Sequence, residues 1–414
     1  MPTQTFSLLP QPPRKGCQLP TCTNNTSNPT TLERCSSCKS VAYCSNEHQL
    51  ADWAAHKPLC DKLKALLRTL ERERRKLLAS TDFLGAPNAD VFENPAKVGY
   101  FWSLLETRDY MRARYEVFFV LAKESEALLG LEAAAKHGWE MLRLCRSDNL
   151  GVRDVLPGVL LRIGEDQKAL GFCWYWVRSF HDDDDEDNEE GDEESDEEEI
   201  EPYLRPEHLN RSIFTALPEK WVSSRFTVLP QMIPIALLKL RAYLDLGAFL
   251  RHFGFDPDAD SAANSDACSV TLNDVCALDQ QALQSIAEKY KRPFGISSCI
   301  LHRDANANDA NASLTSLRAR LSSQIDPLLK HIHKANKHFL SAILSVPQSS
   351  STSSGTRNST SKLAKYLKAQ PVFFSDGTAE QAQLLVQYHW KTWVGDEGVM
   401  AEVRRRGASL GLRF

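Results

Sequence analysis

The chain has 414 residues, a formal net charge of −5 and a hydrophobic content of 42%, which leaves room for a sizeable core. It contains no apolar run of about eighteen residues, so we expect no membrane span. Residues 1–16 are proline-rich and lack an apolar signal core, and we expect them to form a disordered tail. These features predict an intracellular protein, cytoplasmic or nuclear, whose cysteines stay reduced.

Eight candidate metal ligands lie within residues 17–60. They form four close pairs: Cys17 and Cys22, Cys35 and Cys38, Cys44 and His48, His56 and Cys60. Thiolates and imidazoles are usual zinc ligands, and a closed tetrahedral site takes four of them, so eight ligands predict two structural zinc ions per chain. The last two pairs are spaced i and i+4, which places both ligands of a pair on one face of a helical turn. So short a segment buries too little apolar surface to fold alone, and the metal ions would supply the missing stability.

Other uses of these residues are less favoured. Cys35-Ser-Ser-Cys38 has the spacing of a redox pair, but no βαβ pattern surrounds it. Disulfides would need an oxidising compartment, and the sequence shows no signal peptide. A role for His48 as an exposed helix residue, without metal, is the remaining alternative.

The string from Tyr43 to Cys60, Y-C-S-x-x-H-Q-x-x-D-W-x-x-H-K-x-x-C, resembles the MYND-type zinc finger. It departs from the family pattern in His48, where a cysteine is usual, and in the C-x4-C spacing of the first pair, where C-x2-C is usual. The resemblance implies interleaved ligand pairs, with one zinc ion bound by Cys17, Cys22, Cys44 and His48 and the other by Cys35, Cys38, His56 and Cys60. It also implies a protein-interaction surface that binds proline-rich peptides, often of P-x-L-x-P type.

The rest of the chain predicts an all-α body. Residues 61–180 form a first helical region, in which apolar residues recur at helical spacing in three stripes. The third stripe runs from Leu160 to Val177, with Pro157 tolerated near its start. Short connections favour antiparallel helical hairpins, TPR-like at most because no strict repeat of about 34 residues is present. Residues 110–114, 142–149 and 151–154 are similar to fungal proteins that carry a MYND finger and a helical body.

Two linkers of biased composition divide the body. In the first, residues 181–202, 16 of the 20 residues 182–201 are acidic, so this acidic linker buries little apolar surface and should be disordered. The second, residues 348–362, is rich in Ser and Thr. Residues 203–347 form a second helical region that Pro327 is expected to kink or divide. Residues 363–414 form a C-terminal helical segment whose last helix, near 379–393, precedes a basic tail.

The sequence contains none of the G-x-S-x-G, P-loop, G-x-G-x-x-G and H-E-x-x-H motifs. We therefore expect a non-enzymatic interaction protein or adaptor, with structural zinc, protein partners and no membrane association. A basic protein is a candidate partner for the acidic linker. Direct nucleic-acid binding is not expected, because the helix after the first ligands opens with the poorly basic run 50–55.

Two alternative functions stay open. One is a transcriptional regulator that is recruited through protein partners. The other is a lysine methyltransferase of the SET/MYND type, which is disfavoured because neither an N-H-S-C-like motif nor a β-rich core is evident in the sequence.

Overall fold

The computed structural model describes residues 12–24, 32–182, 202–224, 227–257, 269–346, 363–369, 371 and 373–413. Its strands, within these residues, form one short hairpin, in which β1 (Glu33–Arg34) pairs antiparallel with β2 (Ala42–Tyr43). Almost all other regular structure is helical, which confirms the predicted all-α body behind a small finger. None of the described helices has the length and apolar character needed to cross a bilayer.

The chain divides into two compact units, and the first spans Pro12–Ile163. Its helices follow the hairpin in the order α1 (Asn46–Leu78), α2 (Arg108–Glu124), α3 (Leu128–Leu144) and α4 (Val152–Ile163). Each helix packs against the next, and α2 also contacts α4. Gly138 permits the close approach of α3 to its neighbours, because a Cβ there would lie 3.1 Å from Phe118 in α2 and from Leu156 in α4.

The second unit, Gly164–Phe414, is built around one long buried helix. Its helices include α5 (Asp166–Asp182), α6 (Pro206–Leu209), α7 (Glu219–Ser223), α8 (Leu229–His252), α9 (Leu272–Cys276), α10 (Gln280–Lys289), α11 (Ser298–Leu301), α12 (Leu314–Ala335), α13 (Lys337–Ile343), α14 (Ala379–Val394) and α15 (Glu397–Ser409). The central helix α8 is buried on nearly all sides, and α5 and α12 pack along it. Most of its residues are apolar, as expected for a helix at such a position.

A buried ionic network joins α5, α8 and the start of α15. Nε of Arg292 lies 2.5 Å from Oδ1 of Asp245 in α8, and its Nη1 lies 3.3 Å from Oδ1 of Asp396, the residue before α15. Arg241 in α8 lies 3.7 Å from carboxylate oxygens of both Asp166 and Asp396. Each of these charges faces an opposite charge, which offsets the cost of burying it.

Two predictions about the first half of the chain need correction. Residues 12–16 of the predicted disordered tail are ordered, because the backbone and side chain of Arg14 are held by hydrogen bonds; residues 1–11 lie outside the described residues. The third apolar stripe is two helices, not one. Gly164, at φ +83°, ends α4, since glycine adopts this left-handed conformation at low cost, and α5 begins at Asp166. The boundary between the units therefore falls at Gly164, within residues 61–180, which were predicted to form one helical region.

Two predictions about the second half also differ from the structure. Pro327 was expected to kink or divide its helix, and it does not divide it: α12 runs through Pro327 to Ala335 and packs against α8. The break comes at Asn336, whose Oδ1 accepts a hydrogen bond from the backbone N of His338 at 3.0 Å. The predicted basic tail is the helix α15, in which Arg406 is buried against Asp326. The first predicted linker, residues 181–202, starts too early, because His181 and Asp182 still belong to α5; its residues 183–201 and the whole second linker, 348–362, lie outside the described residues.

Candidate metal centres

A first cluster brings together four predicted ligands from three parts of the finger. Cys17 and Cys22 precede β1, Cys44 follows β2, and His48 lies in the first turn of α1. Nδ1 of His48 lies 3.6 Å from Sγ of Cys17 and 3.1 Å from Sγ of Cys44. The Sγ atoms of Cys22 and Cys44 are 3.7 Å apart. Cys17 is buried and the other three side chains are half-buried, so this cluster lies close to solvent.

The second cluster holds the other four predicted ligands and is fully buried. Cys35 and Cys38 lie in the turn between β1 and β2, while His56 and Cys60 lie one helical turn apart in α1. The Sγ atoms of Cys35 and Cys60 are 3.7 Å apart. Nε2 of His56 lies 3.6 Å from Sγ of Cys38. The two clusters thus combine alternate pairs along the sequence.

The spacing of the ligand atoms fits tetrahedral zinc. In each cluster all four ligand atoms lie within 4.8 Å of one another. A tetrahedral ion with Zn–S bonds of about 2.3 Å separates two sulfur atoms by about 3.8 Å and a sulfur from a nitrogen by about 3.5 Å. The observed sulfur–sulfur distances of 3.7 Å agree with this geometry and are far too long for a disulfide bond. The two clusters fit two zinc ions.

The electrostatics of the thiols also favour a cation. Burial, together with the neighbouring thiols of Cys22 and Cys17, raises the pKa of Cys44 to about 11. Burial likewise raises the pKa of Cys60 to about 12, together with its neighbours in the second cluster. The thiols of Cys44 and Cys60 are therefore costly to ionise by themselves, and a divalent cation offsets that cost by stabilising the thiolates.

The start of α1 corrects one detail of the predicted ligand arrangement. Oγ of Ser45 accepts a hydrogen bond from the backbone N of His48 at 3.3 Å and caps the helix, which begins at Asn46. Cys44 therefore precedes the helix, and only His48, His56 and Cys60 are helical ligands. The pair of Cys44 and His48 still converges, because the capping turn points Sγ of Cys44 toward the imidazole.

Arg14 fastens the loop of the first cluster to the helices behind it. Its Nε donates to the carbonyl oxygen of Cys17 at 3.1 Å, and its Nη2 donates to that of Cys22 at 3.0 Å. Its backbone N donates to the carbonyl oxygen of Glu126 at 3.2 Å, and its carbonyl oxygen accepts from Leu128 at 3.0 Å. The loop that carries two ligands is thus joined to the start of α3.

The finger also packs on the helices through the turn of the second cluster. Oγ of Ser40 donates to Sγ of Cys38 at 3.3 Å, and the carbonyl oxygen of Ser40 lies 3.2 Å from the position of a Cβ on Gly130 in α3. Farther along α1, Lys62 forms an ion pair with Glu124 of α2. The finger and the helices α1–α3 therefore share one packed interface.

Comparison with protein families identifies the segment that carries the two clusters. Residues 20–60 match the family of the MYND finger. This segment is a MYND finger. The match covers about a tenth of the chain and begins three residues after Cys17, which the structure adds to the first cluster. Comparisons with curated proteins and with solved structures return no match. The chain thus begins its described part with a zinc-binding protein-interaction module, followed by a helical body.

Sequence reasoning missed two features of the MYND finger. It gave no role to Arg14, since no local pattern marks a side chain that binds carbonyl oxygens along a loop. It also did not indicate that the apolar side chains of Leu50 and Trp53 are 74% and 38% exposed. A helical apolar spacing alone does not reveal which face the fold covers.

Proposed function

We propose that this protein is a non-enzymatic adaptor whose MYND finger binds proline-rich peptides and whose zinc ions are structural. The observation that supports this most directly is the composition of the two clusters, each of which supplies four side-chain ligands. Four protein ligands complete a tetrahedral zinc site, whereas a catalytic zinc ion keeps one position for water or substrate. The metals would hold the finger together and take no part in a reaction.

The proposed peptide-binding surface lies on the first two turns of α1. Leu50 and Trp53 are three residues apart, so their side chains lie on the same side of the helix, and both are exposed. Ala54, also exposed, continues this surface, and the three residues are called the finger face below. Proline-rich peptides suit such shallow apolar surfaces because they are already extended and lose little entropy on binding.

The helical body serves in this proposal as a scaffold or a second binding surface. The methyltransferase alternative requires a β-rich SET core, and the strands of the described residues are limited to the two-residue pair β1 and β2. Recruitment to a transcriptional complex would be one use of the adaptor, in keeping with the intracellular location expected from the sequence. The resemblance of the body to fungal MYND-finger proteins remains a prediction.

Peptide binding tests the proposal. The zinc-loaded full chain should bind a fluorescent P-x-L-x-P peptide in a polarisation assay, and Leu50→Ser/Trp53→Ser should weaken binding at least about tenfold, since it removes the apolar contacts. The matched control is Phe83→Ser/Leu84→Ser, which changes two side chains that are 91% and 78% exposed outside the finger. Equal losses in both variants, or none in the first, would contradict the proposed surface.

The non-enzymatic part of the proposal needs its own measurement. The zinc-loaded chain should transfer no methyl groups from S-adenosylmethionine to histone or other protein substrates. Robust turnover in that assay would reject the adaptor interpretation in favour of the enzyme.

A further inference from the structure

The residues just before the finger have the chemistry of the ligand proposed for it. Residues 6–13 read F-S-L-L-P-Q-P-P, and residues 1–13 contain no charged side chain. Phe6 to Pro10 follows the P-x-L-x-P register at Leu8 and Pro10, with Phe6 in the place of the first proline. We call residues 6–13 the tail segment. The tail segment therefore has the composition of an internal ligand for the finger face.

The geometry of the first cluster brings the tail segment within reach of the finger face. Sγ of Cys17 lies 3.6 Å from Nδ1 of His48, so the chain that follows the tail passes beside the start of α1. Leu50 and Trp53 follow His48 by about 3 Å and about 8 Å of helical rise. Arg14 is fixed, so the reach of the tail counts from Pro12; Leu8 and Phe6 precede Pro12 by four and six residues, which span up to about 13 Å and about 20 Å when extended. This part of the chain starts beside the loop of the first cluster, which Arg14 binds.

The attachment point of the tail is fixed. Arg14, one residue after Pro13, is held through its backbone to Glu126 and Leu128 and through its guanidinium to the carbonyl oxygens of the cluster loop. Because one end of the tail is fastened beside the finger, its local concentration at the finger face is on the order of millimolar, as for other short flexible links.

We propose that the tail segment binds the finger face of its own chain and competes with external proline-rich partners. This inference rests on the proposed function, because it places an internal ligand in the same peptide-binding surface. The two surfaces match in chemistry, since the tail segment has no charged side chain and the finger face is apolar. An internal ligand with a dissociation constant of about 0.1 mM would weaken external peptides about tenfold at millimolar local concentration.

The experiment compares three zinc-loaded chains: the full chain, a chain that begins at Pro12, and the full chain with Leu8→Ser/Pro10→Ser. A fluorescent P-x-L-x-P peptide should bind the last two about tenfold more tightly than the first. The matched control, Thr3→Ala/Gln4→Ala, changes the tail outside residues 6–13 and should behave like the unaltered chain. A synthetic peptide of residues 1–13 should bind the shortened chain, and Leu50→Ser/Trp53→Ser in that chain should abolish this binding.

The possible results separate the inference from the proposed function. If the shortened chain and the full chain bind the P-x-L-x-P peptide equally, the internal ligand is rejected and the peptide-binding function stands. If the shortened chain binds neither peptide, both are rejected. If loss of the tail tightens binding but also converts a dimer into a monomer in light scattering, the tail binds a second copy, and the intramolecular proposal is wrong.

Discussion

The hydroxyl group of Tyr43 donates a hydrogen bond to Oδ2 of Asp52 at 2.7 Å. Tyr43 ends β2 next to Cys44 of the first cluster, and Asp52 lies in α1 halfway between His48 and His56, which belong to different clusters. The bond therefore fixes the hairpin against the helix between the two metal centres. Burial and the Asp52 carboxylate both raise the pKa of Tyr43, so the phenol stays a hydrogen-bond donor at physiological pH.

Removing this hydrogen bond should weaken the finger without emptying it. Tyr43→Phe keeps the buried ring, which is 1% exposed, but leaves Asp52 without this donor. We expect the free energy of unfolding of the zinc-loaded chain to fall by about 1.5–3 kcal/mol, as for other hydrogen bonds to charged groups. Urea unfolding measures the change, and native mass spectrometry should still show two zinc ions. Tyr100→Phe, at a side chain 58% exposed, is the control and should have almost no effect.

His48 should be required for one zinc ion only. His48→Ala removes the nitrogen that lies 3.1 Å from Sγ of Cys44, so the first cluster keeps three ligands while the second keeps all four. Native mass spectrometry should then count one firmly bound zinc ion in place of two. His338→Ala, outside the finger, should retain both. Retention of two ions by His48→Ala would show that His48 is not a ligand.

The contact between the finger and α3 leaves no room for a methyl group at Gly130. A Cβ there would lie 2.1 Å from Oγ of Ser125 and 3.2 Å from the carbonyl oxygen of Ser40. Alanine favours a helix over glycine by about 1 kcal/mol, but overpacking costs about 1–3 kcal/mol and Ser125 would have to rotate. We expect Gly130→Ala to lower stability by about 1–2 kcal/mol in urea unfolding. Gly247→Ala in α8, where the nearest atom lies at 3.4 Å, should be neutral or stabilising; a similar loss there would show that packing at Gly130 is not the cause.

His389 should make the protein less stable in mild acid. The side chain is fully buried in α14, and burial lowers its pKa to about 3. In the unfolded chain the pKa is about 6.5, so below that pH the unfolded state binds a proton that the folded state excludes. The contribution of His389 to stability is present above pH 6.5 and falls by about 2 kcal/mol by pH 5.

The variant His389→Leu isolates this effect. Between pH 7.5 and pH 5 its free energy of unfolding should fall by about 2 kcal/mol less than that of the unaltered chain, because leucine does not titrate. Urea unfolding at both pH values measures the difference, and each variant serves as its own reference at pH 7.5. Identical pH dependence of the two chains would contradict the role of His389.

The site was easier to predict than the fold that carries it. The residue types and spacings of the eight ligands are enough to predict zinc binding, and the structure brings the eight side chains together in two groups of four. The helical content could be predicted from the apolar periodicity, but the ends of the helices could not. The helix α12 continues through Pro327 because it packs on α8. The helix α4 ends before Gly164 because this glycine adopts a left-handed conformation. The contacts of Arg14 and Gly130 join residues far apart in sequence, and no local pattern encodes them.

The helix α1 has a practical consequence for anyone who wishes to transplant the finger into another protein. It carries three ligands in its first half and continues without a break to Leu78, so no domain boundary follows Cys60. A finger that ends at Cys60 would expose Leu63, which is 1% exposed in the intact chain. It would also lose the packing contact between Ser40 and Gly130 of α3. Chimeras should therefore carry residues 12–163 as one cassette.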